Sequence, residues 1–218
     1  MKQKLIWFLC LFTCLILLNA CQAEYDENVV VYNFDENDEG VVWSEKDDNE
    51  TYRGVMDGEY VMQIRKGAIL EWENLGQEFS DVKLTINAMD IGVAQDGSYG
   101  LICNYQDELN YYLASIGKDG YYFIAKIVNG DDFLLLGSED GSYLRTDKID
   151  PSAEAYHIGM DCVEGQISLL LDNEVLGTVQ DDTFTSGDVG FFAISFVQTP
   201  LQINFDRLTI EEVNAGTE

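Results

Sequence analysis

Two glutamates flank a tryptophan at Glu71-Trp72-Glu73, and a single histidine, His157, follows Tyr156. These are the obvious candidates for acid–base work. Cleaving a glycosidic bond ordinarily takes two carboxylates facing each other at about 5–9.5 Å, and a tryptophan beside them could stack on sugar. On a strand, however, neighbouring side chains point to opposite faces, which would turn Trp72 away from both carboxylates. A chain with 40 acidic residues also contains close pairs by chance. His157 has no serine or cysteine nucleophile with a supporting acid marked near it. One histidine cannot build a histidine-rich zinc site, and Cys103 and Cys162 lack Cys-x-x-Cys spacing. No catalytic residue is assigned.

Tyrosines are the more suggestive feature. Tyr99, Tyr105, Tyr111, Tyr112, Tyr121 and Tyr122 fall on three consecutive predicted strands. Each Tyr-Tyr pair must place one ring inward and one outward. Tyr105, Tyr112 and Tyr122, with Asn104 and Lys126 as polar neighbours, are expected to form a ligand-binding face that stacks on a ring and hydrogen-bonds its edge. The plainer account is that tyrosine favours strands and covers half-buried sheet. Acidic turns at Asp96-Gly97, Asp131-Asp132, Asp140-Gly141, Asp147 and Asp181-Asp182 offer the oxygen ligands that calcium takes from loops. They are also the default turns of an acidic β protein. No cofactor is expected other than calcium at such turns, and no metal ligand is assigned.

The elements that would position these groups are strands. Val82 to Ala88 alternates apolar and polar residues, the pattern of a half-buried strand. Tyr99 to Tyr105 puts Leu101, Cys103 and Tyr105 on one face. Tyr111–Ile116 and Tyr121–Ile127 are joined by Gly117-Lys118-Asp119-Gly120, a hairpin signal. Ile158, Met160 and Cys162 alternate with polar residues or glycine, and strands follow at Ile167–Leu171, Val175–Val179, Gly190–Ile194 and Leu201–Ile210. No segment carries helix caps with a convincing 3.6-residue period. Short strands at regular spacing with Asp, Asn and Gly turns predict an all-β, antiparallel two-sheet β-sandwich or a barrel. The two prolines, Pro151 and Pro200, fall in connections.

The formal net charge of −28 argues against nucleic acid, whose phosphates need basic neutralisation, and against charge-driven docking on anionic lipid. At the amino terminus, Lys2 and Lys4 precede an apolar run from Leu5 to Leu18 broken only by Thr13, then Leu18-Asn19-Ala20-Cys21. A basic start, an apolar core and a small-residue site make a secretory leader. The run falls short of the roughly 18–20 apolar residues that span a bilayer. Leu-x-Ala-Cys resembles the bacterial lipobox, which implies cleavage before Cys21 and lipid on its thiol. The expected organisation is a leader over 1–20, a lipidated tether over 21–28, one domain over 29–211 and a tail over 212–218. The expected location is extracytoplasmic, on the outer membrane or the cell surface. In an exported protein Cys103 and Cys162 can pair; as inward strand residues they can equally pack as small hydrophobes.

The run from Tyr99-Gly100-Leu101 through Asn110-Tyr111-Tyr112 to Asp119-Gly120-Tyr121-Tyr122, the hairpin Leu171-Asp172-Asn173-Glu174-Val175, and Phe205-Asp206-Arg207-Leu208 closing against Tyr32-Asn33-Phe34-Asp35 together resemble concanavalin A-like lectin/glucanase domains. The nearest branches in pattern are laminin-G-like jelly rolls and 3-keto-disaccharide hydrolase-like domains. The resemblance spans nearly all of 29–211 and implies a concanavalin A-like jelly roll. The glucanases carry Glu-x-Asp-x-x-Glu along one cleft strand, and no such catalytic strand is assigned in this chain. Binding of carbohydrate or of a cell-envelope partner without catalysis is therefore expected. A glycoside or 3-keto-disaccharide hydrolase-like enzyme is the alternative, and a structural module that binds a protein partner without a small ligand is the third.

Overall fold

The computed structural model describes residues 28–35, 38, 40–130 and 132–213. The leader, the lipidation site at Cys21 and the tether as far as residue 27 lie outside the described residues, as do Asp131 and the tail from 214. Among the described residues, sixteen strands follow one another. The first five are β1 (Val29–Tyr32), β2 (Lys46–Asp47), β3 (Thr51–Met56), β4 (Glu59–Ile64) and β5 (Ile69–Asn74). Next come β6 (Val82–Asp90), β7 (Ser98–Asp107), β8 (Asn110–Ile116), β9 (Tyr121–Val128), β10 (Asp132–Leu136) and β11 (Leu144–Arg145). The last are β12 (Tyr156–Val163), β13 (Gln166–Leu171), β14 (Glu174–Gln180), β15 (Asp188–Ser195) and β16 (Leu201–Glu212).

They form two antiparallel sheets, and no helix occurs among the described residues. The larger sheet runs β14-β13-β12-β6-β16-β4-β3-β2, with β1 also paired to β16. The smaller runs β10-β9-β8-β7-β15-β5, with β11 paired to β9. On β6 the alternation in the sequence becomes alternating burial, Val82, Leu84, Ile86 and Ala88 facing the core. On β16 the buried positions step from Leu201, Ile203 and Phe205 to Leu208 and Ile210, one residue out of phase. A bulge between Asp206 and Thr209, with Arg207 at φ 51°, absorbs the extra residue. The opening strand pairs where the sequence pattern placed it, Tyr32 opposite Leu208.

Between the sheets lies one apolar core that includes Phe34, Tyr60, Tyr99, Tyr112, Phe191 and Phe205, all fully buried. Burying such surface is the main favourable term in the fold. Cys103 and Cys162 are paired across this core, which decides between the two alternatives left open by the sequence.

Candidate functional site

A bulge on β7 determines what the smaller sheet shows to solvent. Asn104 sits at φ 49°, and the pairing of β7 with β8 loses register between Cys103 and Asp107. One extra residue reverses the facing of everything after it. Cys103 therefore points into the core, while Tyr105 points outward and packs on Tyr111, ring centroids 5.5 Å apart. The expected sharing of one face by Leu101, Cys103 and Tyr105 is corrected accordingly.

The five residues expected to form a ligand face do not share one. Tyr112 and Tyr122 lie on the inward phase; Tyr112 is fully buried. The Tyr122 hydroxyl donates to the carbonyl of Leu176. Asn104, Tyr112 and Lys126 do come together, around the loop that follows β14. Asn104 Nδ2 donates to the carbonyl of Phe184 at 2.8 Å. The Tyr112 hydroxyl donates to Asp181 Oδ1 at 2.5 Å and accepts from the Phe184 N–H. Lys126 Nζ reaches Asp181 Oδ2 at 2.5 Å and Thr183 Oγ1 at 2.7 Å. Burial works against the Asp181 carboxylate, but the donors Lys126, Thr183 and Tyr112 outweigh it and hold its pKa far below the usual carboxylate range. These contacts fasten a loop to the sheet. Of the five, Tyr105 alone faces outward from the smaller sheet.

The outer face of the smaller sheet is itself apolar. Its floor is Ile102 on β7, Leu113 on β8, Ala125 on β9 and Phe192 on β15, all at most 1% exposed. Across it lie two aromatic groups, whose inner rings Phe123 and Tyr111 are buried. In one, Phe133 stacks edge-on to Phe123 at 5.1 Å and Phe123 lies 5.2 Å from Tyr143; in the other are Tyr111 and Tyr105, with Trp72 on β5. Trp72 and Tyr105 both pack against this floor. Phe133 and Tyr143 are 38% and 39% exposed.

The polar chemistry is concentrated at one edge of this sheet. As the strand pattern requires, Trp72 faces out while Glu71 and Glu73 face the larger sheet, and both carboxylates are nearly fully buried. Glu71 accepts from Lys46 at 2.5 Å and pairs with Arg53 at 3.4 Å, the cations arriving from β2 and β3. Glu73 accepts from the Ser44 N–H at 3.0 Å, from the Ser44 hydroxyl, and from the Tyr60 hydroxyl at 2.6 Å. Burial, reinforced by that bond to Glu73, raises the Tyr60 pKa far above the ordinary phenol value. The two glutamates fasten the sheets together along an edge where apolar packing has ended. Around β5 at this place lies a cavity of about 600 Å³, lined by Trp72, Tyr105, Arg53, Thr51, Asn74 and the two glutamates among others.

Three of the acidic turns spend their carboxylates on protein donors, in their own loop or in a neighbouring loop or strand. Asp96 accepts from the Val197 and Gln198 N–H groups, Asp140 from Ser142, and Asp181 as above. Among the described residues no group of three or more His, Cys, Asp or Glu is disposed to hold a metal. His157 Nδ1 lies 2.9 Å from Asn87 Oδ1 on the outer side of the larger sheet.

No protein-family model and no curated protein matches the chain. Solved structures do. Carbohydrate binding module CBM66 from Bacillus subtilis aligns at TM-score 0.56 and 17% identity, over 85% of this chain and 96% of that one. Bacillus licheniformis beta-glucanase aligns at TM-score 0.59 and 10% identity, over 85% and 99%. A Bacillus subtilis protein of unknown function with a galectin-like fold aligns at 0.61 and 12%, over 84% and 94%. The fold is the concanavalin A-like jelly roll. At these identities the likeness concerns the fold, and function has to be argued from the side chains.

Sequence reasoning passed over Trp72 as sharing that floor with Tyr105, and over Arg53, Thr51 and Asn74 altogether. The available signal was apolar residues on both phases of β7, β8 and β15, which an outer sheet face facing only water would not need.

Proposed function

We propose that this chain is a noncatalytic glycan-binding module, held outside the cytoplasmic membrane by lipid on Cys21, with the outer face of the smaller sheet as its binding surface. The observation that carries the reading is the pair of aromatic groups on this face, the exposed Phe133 and Tyr143 at one side and Tyr105 with Trp72 at the other, beside a polar pocket at β5. Aromatic rings offer flat apolar area to the C–H faces of sugars, and the pocket supplies hydrogen-bonding groups that the floor lacks. The described resemblance to a carbohydrate binding module and to a glucanase fits this reading.

Against hydrolysis stands the identity of the outward residues on the central strands. They are Ser98, Gly100 and Ile102 on β7 ahead of its bulge, Tyr111, Leu113 and Ser115 on β8, and Asp188, Gly190, Phe192 and Ile194 on β15. Asp188 is the one carboxylate among these, and it already accepts from the Gly76, Gln77 and Val189 N–H groups, whereas glycoside hydrolysis uses a facing pair. Glu71 and Glu73 face the other way and are already engaged.

The test is a glycan array probed with the full chain in detergent micelles, with calcium and with EDTA. Reproducible retention of one glycan class, lost in Trp72→Ala, supports the reading, and persistence in EDTA separates it from calcium-dependent recognition. A blank array in both conditions would sink it and favour a cell-envelope protein on the same apolar face. Anchoring is tested separately: Cys21→Ala should abolish incorporation of a labelled fatty acid and release the protein from membranes.

A further inference from the structure

Among the described residues, seven buried side-chain polar atoms lack a hydrogen-bond partner, and four of them line the cavity around β5. They are Thr51 Oγ1, Arg53 Nε, and both Asn74 Oδ1 and Nδ2. Thr51 is fully buried. The other three atoms, on Tyr99, Asn104 and Ser115, line no part of this cavity. A buried polar group without a partner is costly, and folded proteins rarely leave several in one place. Here they converge on a single open cavity from both sides of an edge strand: Asn74 shares the outward phase with Trp72, while Thr51 and Arg53 come from β3 of the facing sheet.

We infer that this pocket binds one neutral polyhydroxylated unit the size of a monosaccharide, with Arg53 Nε, the Asn74 amide and the Thr51 hydroxyl as its hydrogen-bonding set. The unmet groups include both donors and acceptors, which a hydroxyl can satisfy in either role. The charges of the pocket are already balanced, Glu71 by Lys46 and Arg53, and Glu50 by Lys66 outside it. Glu73 has its own donors in Ser44 and Tyr60. An ionic ligand would have to break one of these arrangements; a sugar hydroxyl displaces only water. The Trp72–Tyr105 pair gives the unit an apolar wall. The inference rests on the glycan reading for the identity of the ligand, and places the specificity of that surface at its β5 end.

The test titrates the full chain in micelles with glucose, galactose, mannose and fructose, and with glucuronate and glucosamine as charged controls. The readout is the NMR resonances of Arg53 Nε–H and the Asn74 side-chain amide. At least one neutral sugar should move both resonances, with the charged sugars weaker. Thr51→Val and Asn74→Leu should each weaken that binding about tenfold, with the melting temperature unchanged or raised. Resonances that no neutral sugar moves mean a pocket filled by water only, and overturn the inference. So does a charged control that binds as tightly as glucose. If the array is positive and Trp72→Ala abolishes it, yet Thr51→Val and Asn74→Leu leave it intact, the pocket is overturned and the glycan surface stands. A blank array with shifts from free hexoses overturns the surface and keeps the pocket.

Discussion

Cys103 on β7 and Cys162 on β12 join the two sheets through the middle of the core, 59 residues apart in sequence and with Cα atoms 6.7 Å apart. A crosslink of that span removes much of the freedom of the unfolded chain, about 4 kcal/mol in the chain-entropy account. Cys103→Ala combined with Cys162→Ala should therefore lower the free energy of unfolding by about that amount, read from urea denaturation. Equal stability of the two proteins would mean that core packing alone fixes the sheets.

Tyr112 and Phe133 should respond in opposite ways to truncation. Tyr112 is fully buried and bonds Asp181 and Phe184, so Tyr112→Ala should cost about 3–5 kcal/mol, the range for losing a large aromatic from a core. Phe133 lies on the solvent side of its aromatic group. Phe133→Ala should leave the melting temperature nearly unchanged while weakening glycan retention by about tenfold, the scale of an aromatic anchor at an interface. Thermal melts and array retention measured on both variants decide the matter.

The contrast between those two residues marks where the sequence is readable. Strands with one wet face, such as β6, follow their alternation closely. The turn at Gly117–Gly120 forms as its composition demands, with Gly120 at φ 90°. The short strands β2, β3 and β5 are harder to see, because their residues answer to cross-sheet ion pairs as much as to apolar packing. Facing fails for a different reason. A bulge is a matter of one residue, and the one signal in Cys103-Asn104-Tyr105, an asparagine that tolerates the left-handed conformation it takes, is no different from that of an asparagine in an ordinary strand or turn. Strands apolar on both phases, such as β8 and β15, then give no second signal to correct the error.

Acid should weaken the clasp at Asp181. Its carboxyl titrates below the unfolded value of about 3.9 because Lys126, Thr183 and Tyr112 together outweigh its burial. The stabilisation is thus complete at neutral pH and is lost as the pH falls below about 4 toward the folded pKa. Asp90, Asp161 and Asp188, raised by burial, work in the opposite sense and relax on protonation. Asp181→Asn isolates the first effect. The stability gap between wild type and variant should be largest near neutrality and shrink on acidification, measured by urea unfolding at several pH values. A gap that stays constant into acid would refute the assignment.

Glu73 ties the edge of the smaller sheet to Ser44 and Tyr60 on the other side of the sandwich. Glu73→Leu keeps the bulk but leaves the Ser44 N–H without its acceptor, a loss of about 1–3 kcal/mol. The Tyr60 hydroxyl suffers less, since it also reaches the Ser44 carbonyl at 3.0 Å. Glu73→Gln retains one acceptor oxygen and should fall between wild type and Glu73→Leu. The same variant addresses catalysis. A glutamate that serves as a fastener gives a Glu73→Gln protein with a lower unfolding midpoint and unchanged glycan retention. A catalytic glutamate instead gives a wild type that releases reducing sugar from the retained glycan and a variant that binds without releasing any. The fastener role predicts no such release from wild type, so a reducing-end assay beside the denaturation curve decides between them.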